Sequence, residues 1–128
     1  MQRFGQAADA GFQGVEYLFP YDFEATTIKN VLDTNNLTQV LFNLPAGDWL
    51  GGDRGIAVDP KRVEEFQHGV TKAIQYAKVL ECNQVNCLAG IVPDGVSAEQ
   101  AEQTFVSNLR FAAQALKENG ISLIIEAI

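Results

Sequence analysis

The chain has 128 residues, 47% hydrophobic and 20% charged, the balance of a globular domain rather than of a disordered, collagenous or disulfide-built chain. Nine Lys and Arg against sixteen Asp and Glu leave a formal charge of −7, which argues against a nucleic-acid partner, because phosphate contacts need clustered cations. No apolar run reaches the roughly 18 residues of a membrane span, and Met1-Gln-Arg-Phe-Gly-Gln6 lacks the basic-then-apolar order of a secretory signal.

Residues 2–10 read as the end of a helix, with Phe4, Ala7 and Ala8 on one side and Gly11 as its stop. Gly14 to Phe19 reads as a strand closed by Pro20, and Glu24 to about Asn35 as a helix with Ile28, Val31 and Leu32 at helical spacing. Thr38 to Leu44 is a second strand. Pro45 to Asp59 follows as a long irregular segment, which in a compact domain is either an active-site lid or a flexible excursion. Asp59-Pro60 offers an N-cap and a first-turn proline for a helix running to about Leu80. Its stripe is Phe66, Val70, Ala73, Ile74, Ala77 and Leu80. Gln84 to Ala89 is a third strand. Ser97 with Gln100 forms a capping box for a last helix, whose buried face is expected to be Phe105, Leu109, Ala112, Ala113 and Leu116 before a stop at Gly120. Ile121 to Ala127 is a fourth strand.

Strands alternating with helices pair in parallel through right-handed crossovers. Two α/β architectures satisfy that order, an open doubly wound sheet or an arc of a (β/α)8 barrel, and both collect functional groups at the carboxyl ends of the strands. Glu126 stands out there, a carboxylate after the apolar run Leu123-Ile-Ile125. If buried it must be paired, protonated or metal-bound, and it is then a general-base candidate; the alternative is a strand end turning to solvent. Glu16, between Val15 and Tyr17, poses the same question more weakly. Trp49 and Arg54, among the glycines of the long segment, would suit a small anionic substrate. The two cysteines, Cys82 and Cys87, point in a chain without a signal to a reducing, cytoplasmic compartment. With His68 as the only histidine they fall short of a four-ligand zinc site. They are expected to be packing residues, and His68 solvated.

The runs Gly11-Phe-Gln-Gly-Val-Glu-Tyr-Leu-Phe-Pro-Tyr21, Asn43-Leu-Pro-Ala-Gly-Asp-Trp49, Gly52-Asp-Arg-Gly55, Asn86-Cys-Leu-Ala-Gly90 and Leu123-Ile-Ile-Glu126 resemble the hydroxypyruvate isomerase family. That family belongs to the xylose-isomerase-like TIM barrels, together with ketose 3-epimerases and an endonuclease IV branch. The resemblance covers essentially the whole chain in one register, and its Asn-Leu-Pro-Ala-Gly-Asp-Trp run is the specific part. It implies parallel βα repeats forming about half of a (β/α)8 TIM barrel, residues 1–128 being one partial domain. The four strands correspond to the second to fifth of a barrel of roughly 250 residues. The first strand would lie before Met1 and the last three beyond Ile128.

The resemblance further implies that Glu126 is one of two catalytic glutamates and a ligand of a divalent metal, Mg or Mn. The second glutamate comes from the eighth strand and the other ligands from strands six to eight. Substrate contacts are expected from Arg54, Trp49, Asn43 and Glu16, and Pro is expected where Ala127 stands. The implied reaction converts hydroxypyruvate to tartronate semialdehyde by carboxylate-mediated proton transfer through an enediol. A chain supplying one of the two carboxylates is expected to be inactive or nearly so. Three alternatives stay open: an inert fragment, a half-barrel that closes as a homodimer through its exposed sheet edges, and a ketose 3-epimerase-like or DNA-repair relative. The expected partner is a small hydroxy-keto acid or sugar, with no nucleic acid and no membrane.

Overall fold

The computed structural model describes residues 1–126. The elements run α1 (Gln2–Asp9), β1 (Gly14–Glu16), α2 (Ala25–Thr34), β2 (Thr38–Asn43), α3 (Val63–Leu80), β3 (Gln84–Asn86), α4 (Ala98–Lys117) and β4 (Ser122–Ile124). The four strands lie side by side in chain order and every pair is parallel. A doubly wound sheet reverses its strand order at a switch point. This one does not, and α3 packs between α2 and α4, so the sheet is an arc of a (β/α)8 barrel. Among the described residues no helix is long and apolar enough to cross a membrane.

The core fills the space between the sheet and its helices. Phe42, Val85 and Cys87 meet Ile28 and Leu32 of α2, Phe66, Val70, Ala73, Ala77 and Leu80 of α3, and Ala112 and Leu116 of α4. Each large side chain so buried contributes about 1.5–3 kcal/mol. The stripe expected on α3 is therefore the buried one, with Ile74 at its margin. On α4 four of the five expected residues, Phe105, Leu109, Ala112 and Leu116, face the core, and two positions differ. Ala113 is exposed, while Asn108 is buried and donates its Nδ2 to the Ala57 carbonyl at 2.9 Å. A buried amide must be paired, and that bond fixes which side of α4 turns inward.

Helix starts follow their caps in one case and not in the other. Ser97 Oγ accepts from Gln100 N at 3.1 Å and opens α4 as expected. Helix α3 begins at Val63, not at Pro60, with Arg62 as its cap. Asp59 instead builds a turn ahead of it: its Oδ1 accepts from Lys61 N and its carbonyl from Arg62 N, the Asx arrangement that competes with helix. The strands are also shorter than the apolar runs, β1 ending at Glu16 and β3 at Asn86. Beyond those ends the chain diverges into the loops of the barrel's rim. The expected end of the last strand, Ala127, lies outside the described residues.

The segment 45–59 is hydrogen-bonded into the rim at several points. Its second half, Gly55 to Val58, is buried. Gly55 N donates to the Ala46 carbonyl and Val58 N to the Ala89 carbonyl. Its tip is closed by carboxylates, Asp48 N on Asp53 Oδ2 at 2.6 Å and Gly51 N on Asp48 Oδ1 at 2.8 Å. Arg62 then ties Asp53 to the foot of α3, Nη1 to Oδ2 at 2.8 Å. A segment whose backbone donors are satisfied in this way is part of the scaffold.

Candidate functional site

The site begins with a register. Asn43 of β2 pairs with Asn86 of β3, and Asn86 pairs with Ile124 of β4. Partners across parallel strands share a face, and side chains along a strand alternate between faces. The amides of Asn43 and Asn86 therefore stand in one row, and Glu126, two residues past Ile124, is the next residue on that face. Phe42 and Val85, one position earlier, point the other way into the helix-covered core.

A bulge brings in the fourth residue. Val15 pairs with Gln39, but Glu16 pairs with Leu41, so Val40 is skipped. Val15 packs on the core side, which sends Glu16 to the opposite face alongside Leu41 and Asn43. Bulges near strand ends re-aim side chains in this way. Glu16, Leu41, Asn43 and Glu126 line a single cavity of about 130 Å³ at the carboxyl ends of the strands, walled also by Tyr17 and Leu18.

Polar contacts organise that cavity. Asn86 is buried and its Nδ2 donates to Asn43 Oδ1 at 2.8 Å and to Glu126 Oε2 at 3.3 Å. The Tyr21 hydroxyl donates to the Asn43 carbonyl at 2.6 Å and holds the end of β2. Burial pushes the Tyr17 hydroxyl up to about 12, helped by the nearby Cys82 thiol, so it stays protonated at neutral pH. Glu126 itself is exposed. Of the two readings open for Glu126, the strand end turning out of the sheet is the one seen: β4 ends at Ile124, and on this open arc Glu126 turns toward the cavity.

Arg54 and Trp49 are held together but lie outside that cavity. The Arg54 guanidinium carbon stands 4.4 Å from the centre of the Trp49 ring, and Nη1 donates to the Trp49 and Asp53 carbonyls at 3.1 and 2.7 Å. Arg54 lines a cleft with Asp59, Arg62 and Asp94. Trp49 lines a larger hollow of about 440 Å³ with Phe19, Tyr21, Asp22 and Lys72. The link to the carboxylate cavity is Phe19, whose ring meets Trp49 edge-on at 5.1 Å and follows Leu18 on the cavity wall. Three of the five expected site residues thus converge, and two sit on a neighbouring shoulder. Asn86 was missed as a site residue from the sequence. The available signal was positional: like Asn43, it is an amide closing an apolar strand.

A divalent metal does not fit the described residues. No group of three His, Cys, Asp or Glu side chains converges among them, Asn43 Oδ1 is taken by Asn86, and a hard cation needs about six oxygen ligands. Cys82 and Cys87 are free and buried, and His68 is exposed on α3, all as expected.

The fold has known relatives. The profile of the xylose isomerase-like TIM barrel family matches residues 4–128. Hydroxypyruvate isomerase of Escherichia coli K12 is 51% identical over all 128 residues of the chain, which cover 50% of its own length. The 2-oxo-tetronate isomerase of Pectobacterium atrosepticum is 41% identical, again over the whole chain and 49% of its length. The crystal structure of an AP endonuclease, family 2, from Brucella melitensis superposes with a TM-score of 0.94 at 46% identity, covering 99% of this chain and 49% of that one. The chain spans about half the length of the curated relatives it matches. With four parallel strands in barrel order and a family match across nearly all of its residues, the chain belongs to the xylose isomerase-like TIM barrel family.

Proposed function

We propose that this chain carries the Glu126 half of an isomerase site for short hydroxy-keto acids, with hydroxypyruvate as the substrate. The observation that supports it is the convergence of Glu126, Asn43 and Glu16 on one cavity at the carboxyl ends of the strands, the place where barrels of this kind act. The similarity to proteins named hydroxypyruvate isomerase and 2-oxo-tetronate isomerase points the same way.

In this reading Glu126 takes a proton from C3 of hydroxypyruvate, the electron pair of that C–H bond becomes the C2–C3 double bond, and the C2 carbonyl π pair moves to O2, which takes a proton from solvent to complete the enediol. A proton returned to C2, with loss of the O3 proton, leaves tartronate semialdehyde; nothing is oxidised or reduced overall. Abstraction needs one carboxylate, whereas stereochemically directed return needs a second group across the substrate. Asn43 offers a donor to the developing enediolate oxygen. Arg54, beside Trp49, is proposed to meet the substrate carboxylate from the rim. A divalent metal, Mg or Mn, belongs to the whole barrel in this proposal, and no step here runs through it. The cytoplasmic setting rests on the two unpaired thiols.

The test is proton exchange. Purified full chain in D2O is expected to wash deuterium into C3 of hydroxypyruvate faster than the buffer blank, by ¹H NMR, while tartronate semialdehyde stays near blank level. Glu126→Gln is expected to abolish the difference. Wash-in equal to the blank, or unchanged in Glu126→Gln, overturns the proposal. The similarity to 2-oxo-tetronate isomerases favours a second substrate one carbon longer, and the same assay with that acid ranks the two. Self-association of this chain is part of the proposal, because among the described residues β1 and β4 each have a single neighbour and Leu18, Val40 and Ile125 are exposed, a combination that favours pairing. A monomer mass by light scattering at micromolar concentration sinks that part.

A further inference from the structure

We infer that Asn86 is a positioning residue for this site: its amide nitrogen holds Glu126 on one side and Asn43 on the other, and so presents the amide nitrogen of Asn43 to the cavity as the donor to the developing enediolate oxygen. The inference rests on the isomerase reading above. It follows from counting donors. The Asn86 NH₂ group has two hydrogens, and both are committed, one to Asn43 Oδ1 at 2.8 Å and one to Glu126 Oε2 at 3.3 Å. Asn86 therefore has no donor left for a substrate. Asn43 accepts through its Oδ1, which leaves its own NH₂ without a protein partner among the described residues, on the wall that Glu16 and Glu126 share.

The cost of the arrangement shows what it is for. Asn86 is 1% exposed, and its Oδ1 has no donor among the described residues. An unpaired buried acceptor is unfavourable, and an apolar residue such as the neighbouring Val85 would fill a core-flanking position without it. The amide earns its place through its nitrogen. Few side chains can do the same job. A carboxylate donates nothing when ionised, a hydroxyl donates once, and neutral imidazole donates once. An uncharged group giving two hydrogen bonds from one atom, to two oxygens on adjacent strands, is an amide.

The experiment uses the full chain labelled with ¹⁵N, in which the Asn86 side-chain NH₂ pair is identified by its loss in Asn86→Asp, an isosteric change. Glu126→Gln and Asn43→Ala are each expected to move that pair, and Glu16→Gln to leave it in place. An Asn86 pair that Glu126→Gln leaves unmoved overturns the inference. In the deuterium wash-in assay Asn86→Ala is expected to lower the rate roughly tenfold, the scale of one hydrogen bond to a charged group, with half-saturation by hydroxypyruvate unchanged. A purely structural residue would instead change both together or neither. Should Asn86→Ala fail to fold, Asn86→Asp carries the kinetic arm, with loss of wash-in expected from two facing carboxylates. A wild-type chain without wash-in overturns the isomerase reading, and the role of Asn86 then stands or falls on the amide shifts.

Discussion

One of the contacts that fix the course of the long segment between β2 and α3 is a close backbone crossing, and it is testable. Gly55 and Gly90 meet main chain to main chain where the segment crosses the loop after β3. A Cβ built on Gly55 would lie on the Leu88 carbonyl, 2.7 Å from its carbon and 2.8 Å from Gly90 N, at a φ of +112°. Gly55→Ala therefore carries two costs. An L-residue held at positive φ costs roughly 1–2 kcal/mol, and displacing packed neighbours costs roughly 1–3 kcal/mol more. Gly52 separates the two, since it has a φ of +111° and nothing within 4 Å of its Cβ position. Gly52→Ala should then lose only the conformational part, and Gly55→Ala about 1–3 kcal/mol beyond it. Urea unfolding of the full chain, followed by the fluorescence of its single Trp49 and by circular dichroism, measures both. With a slope on the order of 1–2 kcal/mol per molar urea, the midpoints should differ by about 1 M. Variants within about 0.5 kcal/mol of each other would show that the crossing is not tight and that the segment is mobile after all.

Acid should release the tip of the same segment. The Arg62 guanidinium hydrogen-bonded to Asp53 holds that carboxyl below its ordinary 3.8. A depressed acid stabilises the fold above the unfolded value and loses that contribution as pH falls through the folded one. Unfolding midpoints should accordingly drop below about pH 4, and Asp53→Asn should flatten that limb; an unchanged acid limb refutes the pairing. Burial pushes the Cys87 thiol up to about 12 and raises Cys82 as well. Iodoacetamide at pH 8.5 should then label neither thiol until urea unfolds the chain, and native labelling at the unfolded rate would contradict the core described above. Asn108→Ala strips the Ala57 carbonyl of its donor and should cost about 1–3 kcal/mol, read from the same urea curves. An effect within experimental error would assign the inward turn of Asn108 to packing alone.

Sequence patterns located the elements wherever one local force dominated. The α3 stripe at Phe66, Val70, Ala73, Ala77 and Leu80 was legible because helical period and burial coincide there. Ser97 was legible as a cap because its partner Gln100 lies within one turn. The start of α3 was misread because Asp59 satisfies two neighbouring backbone groups as readily in a turn as at a helix end. Its end carries no glycine signal, since Glu81 takes the left-handed position at φ +55°, with Lys29 of α2 on its carboxylate at 2.7 Å. The buried face of α4 turned on a bond between Asn108 and a residue 51 positions away.

For the site, the sequence by itself determined which chemistry was available: a carboxylate after an apolar strand, a second one early in the chain, amides at strand ends, and a net negative charge. It also determined that the strands had to be parallel, because helices separate them. Only the tertiary structure decided which of these groups meet. The Val40 bulge turned Leu41 and Asn43 onto the face of Glu16, the Asn43–Asn86–Ile124 row set the line on which Glu126 falls, and the Gly55–Gly90 crossing holds the segment that carries Arg54 and Trp49 beside the cavity. The reason is physical: periodicity and capping act within a turn or two of chain, whereas that bulge, that row and that backbone crossing are set by partners 25 to 43 residues apart.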